Sequence, residues 1–457
     1  MGAEIYKLRK LASLFAPYAT LYAVGGFVRD GMLGCETGDI DVCSKLEVDK
    51  VKSILLNSDF AVSDKSLRMG TVIISSKDFK VEYTTFRTDS YDRQSGAHSP
   101  SCVSFTDDIV TDAKRRDFKC NAVYLDILSG EVINPLGGAR EIKDRILSAA
   151  DEPRRVFEAD GLRILRLIRF ASELGFEIEP ETARVAKENA FRVKDISAER
   201  VRDELNKIFV ADTAHPSLKL KKAHLRGLEL LDEYGLLDLI LPEVASLKGV
   251  EQNKKYHIYD VYRHTLKAFE LAPPNIRWAA LLHDVGKPEA LKQNGGANMH
   301  GHDVIGADMA RKILTRLKFS NADKSRIVET VRWHMTDLKG DTSFNKLRRF
   351  AVLHADVIED ICALKDADAE ATTGYKPKFN RVRDAWQQVM ADGTPLAPSK
   401  LKINGNDLIE MGASGKDIGR ILEELFDDTI LNPALNERSK ALAYAAKKIS
   451  KGEIRED

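Results

Sequence analysis

The rhythm of apolar and polar positions changes near residue 140. Before that point, short apolar runs at 21–24, 39–43, 71–75, 80–87 and 123–127, several bounded by glycine or polar turns, read as β-strands mixed with helices. Beyond it strand signals nearly vanish. From Val156 onward apolar residues return every three or four positions, as in Leu162, Leu165 and Ile168 and again in Val201, Leu205 and Ile208. That is the period of helices with one buried face. The expected fold class is α+β: an N-terminal mixed sheet with helices, followed by an all-α body. Loop-forming clusters at 272–275, 294–296 and 393–398 interrupt the helical part, and no internal repeat or low-complexity tract is present.

At 457 residues the chain is long enough for about three domains of ~150 residues each. Hydrophobic content of 43% and charged content of 31% are those of an ordinary soluble protein, and no apolar run approaches the roughly 20 residues of a membrane span. Residues 1–7 lack the apolar stretch of a secretory signal, so the expected location is cytoplasmic, with no membrane partner. Seventy basic residues balance seventy acidic ones, so a polyanion would have to be met by local patches. Lys114-Arg115-Arg116 and the arginines of 163–169 are candidates; Lys219-Leu220-Lys221-Lys222 reads more readily as a solvated helix face. Five scattered cysteines without a Cys-x-x-Cys argue against a disulfide framework and a zinc knuckle.

Candidate chemistry begins at Gly25-Gly26-Phe27-Val28-Arg29-Asp30, followed by Asp39-Ile40-Asp41-Val42. In an extended segment alternate side chains share a face, so Asp39 and Asp41 project together while Ile40 and Val42 turn to the core. Paired carboxylates repel, and magnesium, which prefers hard oxygen ligands and triphosphates, removes that repulsion. With Gly26 allowing close backbone approach and Arg29 on the opening turn of a helix, the arrangement reads as a nucleoside-triphosphate site for phosphoryl transfer. Alone, an Asp-x-Asp is far more often a solvated surface pair. On the 80–87 strand, Glu82 lies opposite Val81 and Tyr83, where it could complete a metal site or act as a base; an exposed strand glutamate is an equal alternative. A mobile loop is expected over 91–104. After it, Arg115-Arg116-Asp117-Phe118-Lys119-Cys120-Asn121 supplies guanidinium groups for phosphate and Asp and Asn for ribose hydroxyls.

A helix running from Asp160 to Phe170 would set Asp160, Arg163, Arg166 and Arg169 three apart along one side. A carboxylate only accepts hydrogen bonds and a guanidinium only donates. Cytosine and adenine share an exocyclic amine beside an acceptor ring nitrogen, so each can satisfy Asp160 and Arg163 together. Guanine and uracil present a carbonyl and a ring N–H there, and both would be repelled. The plainer alternative is a basic amphipathic helix with an intrahelical Asp–Arg pair.

In order along the chain, Gly-Gly-x-Val-Arg-Asp, Asp-Ile-Asp, Arg-Arg-Asp-Phe-x-x-Asn-Ala, Asp-x-Leu-Arg-Ile-Leu-Arg-x-x-Arg-Phe and Ile196-Ser197-x-Glu199-Arg200-Val201-x-x-Glu204-Leu205 resemble the class II tRNA nucleotidyltransferases, that is, CCA-adding enzymes and bacterial poly(A) polymerases of the polymerase β superfamily. The resemblance covers about residues 20 to 210. It implies a polymerase β-like head with Asp39 and Asp41 binding catalytic Mg2+. It further implies nucleotide contacts from Gly25, Gly26, Arg29, Arg116, Asp117, Asn121, Asp160, Arg163, Arg166 and Arg169. Two departures stand out: Ala159 occupies the position of a usual glutamate, which removes a possible orienting partner for Arg163, and Lys119-Cys120 replaces a usual Thr-Ile.

Farther on, His264, His283-Asp284, His302, His334 and Asp368 resemble the ligand series of the HD phosphohydrolases, which hold one or two divalent ions; His300 and Asp366 lie near enough in sequence to exchange roles with His302 and Asp368. The resemblances divide the chain into a catalytic head (1–145), a helical neck with the base-selecting helix (146–245), an HD domain (246–380) and a helical tRNA-contacting end (381–457). They imply addition of C and A to the 3′ end of tRNA from CTP and ATP. The alternatives are poly(A) polymerase, an enzyme adding only A or only CC, a protein that is mainly an HD phosphohydrolase, and a non-catalytic RNA-binding protein.

Overall fold

The computed structural model describes residues 2–36, 38–90, 102–252 and 259–452. The chain divides into two compact units, 1–245 and 246–457.

In the first unit seven strands form one mixed sheet. Numbered along the chain they are β1 (Tyr22–Val24), β2 (Asp41–Ser44), β3 (Ala61–Ser66), β4 (Thr71–Ser76), β5 (Phe79–Thr85), then β6 (Arg87–Ser90) and β7 (Cys102–Phe105), which pair apart as a two-stranded ribbon, and β8 (Tyr124–Asp126) and β9 (Val132–Ile133). The sheet order is β3-β4-β5-β2-β1-β8-β9. Only β2 and β5 run parallel in it, in a register that sets Asp41 beside Glu82. Alternation does the rest: Val42, Val81 and Tyr83 are buried, and Phe15 of the helix Gly2–Phe15 packs on Tyr83 with ring centroids 5.7 Å apart.

Three expectations change. The strand β3 had no apolar alternation to announce it, because most of its side chains are exposed at the sheet edge. The loop expected over 91–104 is in part the strand β7; its residues 91–101 lie outside the described residues. The helix expected to start at Asp160 is two helices, Pro153–Ala159 and Leu162–Leu174, with Asp160 extended between them (φ −151°, ψ 109°). Gly161, already helical, lets the start of the second helix pack on the Arg192 segment, since a Cβ there would come within 2.9 Å of the Arg192 carbonyl oxygen. The second helix is a core helix rather than an amphipathic one. Arg163 and Arg166 are the residues of Leu162–Leu174 that escape burial. It packs against Ala198–Phe209 and Ala223–Glu233.

The second unit is helical throughout its described residues. Val261–Leu271, Arg277–Leu282, His302–Arg316, Asn321–Trp333 and Ile358–Thr373 form one layered group. Leu347, Ala351, Cys362, Val382 and Ala385 make an adjoining core, and Leu408, Ile421, Leu425 and Ala441 make the core of the C-terminal helices. No helix among the described residues is long and apolar enough to cross a membrane. All five cysteines are free.

Candidate active site and metal centre

In the first unit a cavity of about 460 Å3 opens between the place where β1 ends and β2 begins and the helix Leu162–Leu174. Gly25 precedes the helix Gly26–Met32 with φ 76° and ψ −139°, a conformation that side chains resist. A Cβ there would stand 3.4 Å from Asp41 Oδ2. Asp41 opens β2, whereas Asp39 sits in a bend before it. The β2–β5 ladder reaches Ile40, whose carbonyl accepts from the Glu82 amide (3.1 Å), and stops there. Burial first, and the Glu82 carboxylate second, push the Asp41 carboxyl up to about 6, with Asp39 adding to the effect. Asp41, with Glu82 beside it on β5 and Asp39 just before it, is a carboxylate group that suits a hard divalent cation. Glu82 also forms an ion pair with Lys65.

Behind them runs a chain of paired groups. Arg29 Nε donates to Asp30 (2.8 Å) and its Nη1 to Asn121 Oδ1 (2.7 Å); Asn121 Nδ2 donates to Asp117 Oδ1 (3.0 Å), and Arg166 Nε donates to Asp117 Oδ2 (2.8 Å). Burial opposes the Asp117 charge, yet Arg166 and Asn121 hold its carboxyl well below the usual range. Phe170 floors this chain, with the Arg29 guanidinium 4.9 Å and that of Arg166 5.3 Å from its ring centroid. Arg116 is fixed by Asp112 (3.1 Å) and Tyr124 (3.2 Å). Asp112 is fully buried, and Arg116 and Arg115 overcome that burial to keep its carboxyl at about 2.

At the far end, Asp160 and Arg163 line the cavity. Asp160 Oδ1 accepts the Leu162 amide (2.9 Å) and its Oδ2 accepts Arg200 Nη2 (2.9 Å). Arg163 Nη2 donates to the Arg115 carbonyl (2.7 Å). Arg169 is not brought to the cavity: it is buried, with Nε on Glu204 (2.6 Å) and Nη1 on Glu173 (3.0 Å). Sequence reading did not place Arg87, Asp89, Phe170 or Arg200 in the site. Arg87 and Asp89, 2.9 Å apart, are two apart on a strand and so share a face; that parity was the available signal.

In the second unit six side chains converge. His264 Nε2 lies 2.9 Å from Asp368 and 3.5 Å from Asp284; His283 Nε2 lies 3.1 Å from Asp284; His302 Nε2 lies 3.5 Å from Asp284 and 3.4 Å from His334 Nε2. His283, His302 and His334 each turn Nδ1 to the carbonyl three residues back, Ala280, Met299 and Val331, at 2.8, 3.0 and 2.7 Å. This leaves Nε2 facing inward as a lone pair. Burial and then His283 push His334 down to about 4, so it is a neutral imidazole at pH 7. Asp284 Oδ2 is buried with no hydrogen-bond partner, although the Lys287 ammonium lies 2.7 Å away. Asp284 belongs to both ligand triads, with His264 and His283 and with His302 and His334. The donor set fits a divalent ion. His300 is exposed and Asp366 bonds Asn380 (2.9 Å) and Arg383, so neither exchanges roles with His302 or Asp368.

Residues 21–148 match the family described as the poly A polymerase head domain, 175–248 the probable RNA and SrmB-binding site of polymerase A, and 255–373 the HD domain. The chain is 34% identical over 314 residues to the A-adding tRNA nucleotidyltransferase of Deinococcus radiodurans, covering 63% of this chain and 69% of that one. It is 36% identical over 395 residues to a CCA-adding enzyme of Geobacillus sp. (strain WCH70), covering 85% and 83%. Its fold matches the crystal structure of the Bacillus stearothermophilus CCA-adding enzyme in complex with CTP at a TM-score of 0.69, with 24% identity and 98% of both chains covered.

Proposed function

The chain belongs to the tRNA nucleotidyltransferase and poly(A) polymerase family, metal-dependent nucleotidyltransferases, and we propose that it adds C and A to the 3′ end of tRNA from CTP and ATP, releasing pyrophosphate. One observation carries the reading: the glycine turn, Asp41, the Arg29–Asn121–Asp117–Arg166 chain and the pair Asp160 and Arg163 all line a single cavity.

Each group has a task there. Arg29 and Arg116, their guanidinium groups fixed by acidic or amide partners, keep spare N–H donors for triphosphate oxygens. Asp117 and Asn121 offer their remaining acceptor and donor positions to ribose hydroxyls. Gly25 and Gly26 let the main chain come close to the phosphates. Asp160 accepts the exocyclic amine of C or A and Arg163 donates to the neighbouring ring nitrogen, while Arg166 keeps Asp117 ionised. Asp39 and Asp41, with Glu82 beside them, would hold Mg2+, which supplies charge stabilisation and a more acidic primer hydroxyl when bound. The segments 1–145 and 146–245 divide these tasks as head and neck, and 381–457 contacts tRNA.

The six side chains His264, His283, Asp284, His302, His334 and Asp368 favour a second activity, metal-dependent phosphohydrolysis, because their imidazoles and carboxylates already converge on one place. Incubating the protein with tRNAs ending at each stage of the terminus, with each nucleoside triphosphate supplied separately, separates CCA, CC-only and A-only addition. Incorporation of C and A but not G or U, lost in Asp39→Ala, is the expected result. Equal incorporation in wild type and Asp39→Ala removes the assignment.

A further inference from the structure

We infer that two neighbouring loops of the second unit, 337–342 and 374–380, form a docking surface for an unpaired RNA strand, with aromatic faces for its bases and lysines for its phosphates. Tyr375 is 79% and Phe379 83% exposed, and Leu338 on the other loop is 66% exposed. Beside and between them stand Lys339, Lys376 and Lys378. All three are exposed and, among the described residues, their ammonium groups take part in no hydrogen bond or ion pair. Asp337 is engaged by Arg381, which leaves Asp341 as the one exposed acid of these two loops. Positive charge therefore prevails on the surface.

Arg381 fastens the two loops into one surface. It opens the helix Arg381–Ala391 directly after 374–380, and its guanidinium donates to Asp337 Oδ2 (3.1 Å), to the Gly340 carbonyl and to the Thr342 carbonyl (2.7 Å). The ends of 374–380 are tied as well. Gly374 closes the helix Ile358–Thr373 in the left-handed region (φ 78°), the Tyr375 amide donates to Thr373 Oγ1 (3.2 Å), and Asn380 Nδ2 donates to Asp366 (2.9 Å). Pro377 restricts the main chain between Lys376 and Lys378. A loop held in this way loses little freedom when it binds.

Composition decides the occupant. The core of a protein–protein interface is depleted of lysine, whereas here two lysines lie between the two rings. Aromatic faces set on a positively charged track are how unpaired strands are held with little regard to sequence. A paired helix would hide its base faces from Tyr375 and Phe379, so the strand is unpaired. That it is RNA rests on the proposed function; that it is a polynucleotide rests on the surface alone.

The test is photo-cross-linking of the full chain to a short unstructured oligoribonucleotide carrying 4-thiouridine, with peptide mapping, and anisotropy titrations of the same RNA at several salt concentrations. Cross-links should fall on Tyr375 or Phe379 and disappear with excess unlabelled RNA. Tyr375→Ala combined with Phe379→Ala should weaken binding roughly 10- to 100-fold and leave its salt dependence unchanged. Lys339→Gln, Lys376→Gln and Lys378→Gln together should lower the slope of log affinity against log salt by about 2, at ~0.7 per phosphate released. Because every substituted side chain is exposed, the thermal midpoint should stay that of wild type, which separates a lost contact from a lost fold. Cross-links confined to other segments, or wild-type affinity in the aromatic variant, overturn the inference. So does a variant that keeps RNA affinity and loses self-association in sedimentation, since the surface would then join protein to protein. Wild-type protein that cross-links at Tyr375 yet incorporates no nucleotide removes the proposed function and leaves the surface standing.

Discussion

The cavity in the first unit and the histidine centre in the second reach readiness by opposite routes. In the histidine centre three of four imidazoles are oriented by carbonyls of their own helical segments, three residues back, so their orientation is local, and five of the six ligands are buried. In the cavity local partners such as Asp112 for Arg116 are joined by partners distant in sequence, as Asn121 is for Arg29 and Asp117 for Arg166. The cavity remains open, and at one end of it burial and the Glu82 carboxylate push the Asp41 carboxyl up to about 6. Three imidazoles of the centre thus take their aim from their own segments, although its six ligands come from five segments of the chain. A cavity built from long-range pairs can instead register whether sugar, phosphate and base are all in place.

The difference can be broken at several strengths. Asp41→Ala should lower nucleotide incorporation on the order of 1000-fold while leaving the metal content of the second unit unchanged, as read by incorporation assay and elemental analysis. Asp284→Ala, which removes the carboxylate common to both histidine triads, should weaken divalent-ion binding by at least ~100-fold in calorimetry and leave incorporation within about twofold. Asp112→Ala strips a buried carboxylate from Arg115, Arg116 and Tyr124, and should cost about 3 kcal/mol in denaturant unfolding. The folded-state pKa of Asp112 lies below its unfolded value. Its contribution is therefore complete above pH 4 and is lost as pH falls toward about 2, so wild type and variant should converge in stability at the acid end. Smallest is Arg169→Lys, which keeps charge but not the fork between Glu173 and Glu204: about 1 kcal/mol of stability, with KM for CTP within about threefold.

The same contrast explains what could be read in advance. The helical body, the mixed sheet and the family were legible because period and ordered motifs are local properties of a chain. The His-Asp doublet with its neighbouring histidines likewise announced a cluster. Arg200 on Asp160, the break at Asp160 and the burial of Arg169 were not legible, because each depends on how two helices meet. A continuous 3.6-residue pattern across 160–170 concealed the break, for the pattern records which side chains are apolar and not whether a main-chain hydrogen bond is interrupted. The edge strand β3 escaped because a strand that buries neither face leaves no alternation.

The most direct measurement is a crystal soaked with CTP and Mg2+. The predicted result is a triphosphate against Arg29 and Arg116, a ribose beside Asp117 and Asn121, and the cytosine amine on Asp160 with its ring nitrogen on Arg163. A nucleotide bound elsewhere on the protein, or one in this cavity with its base edge turned from Asp160 and Arg163, contradicts the account.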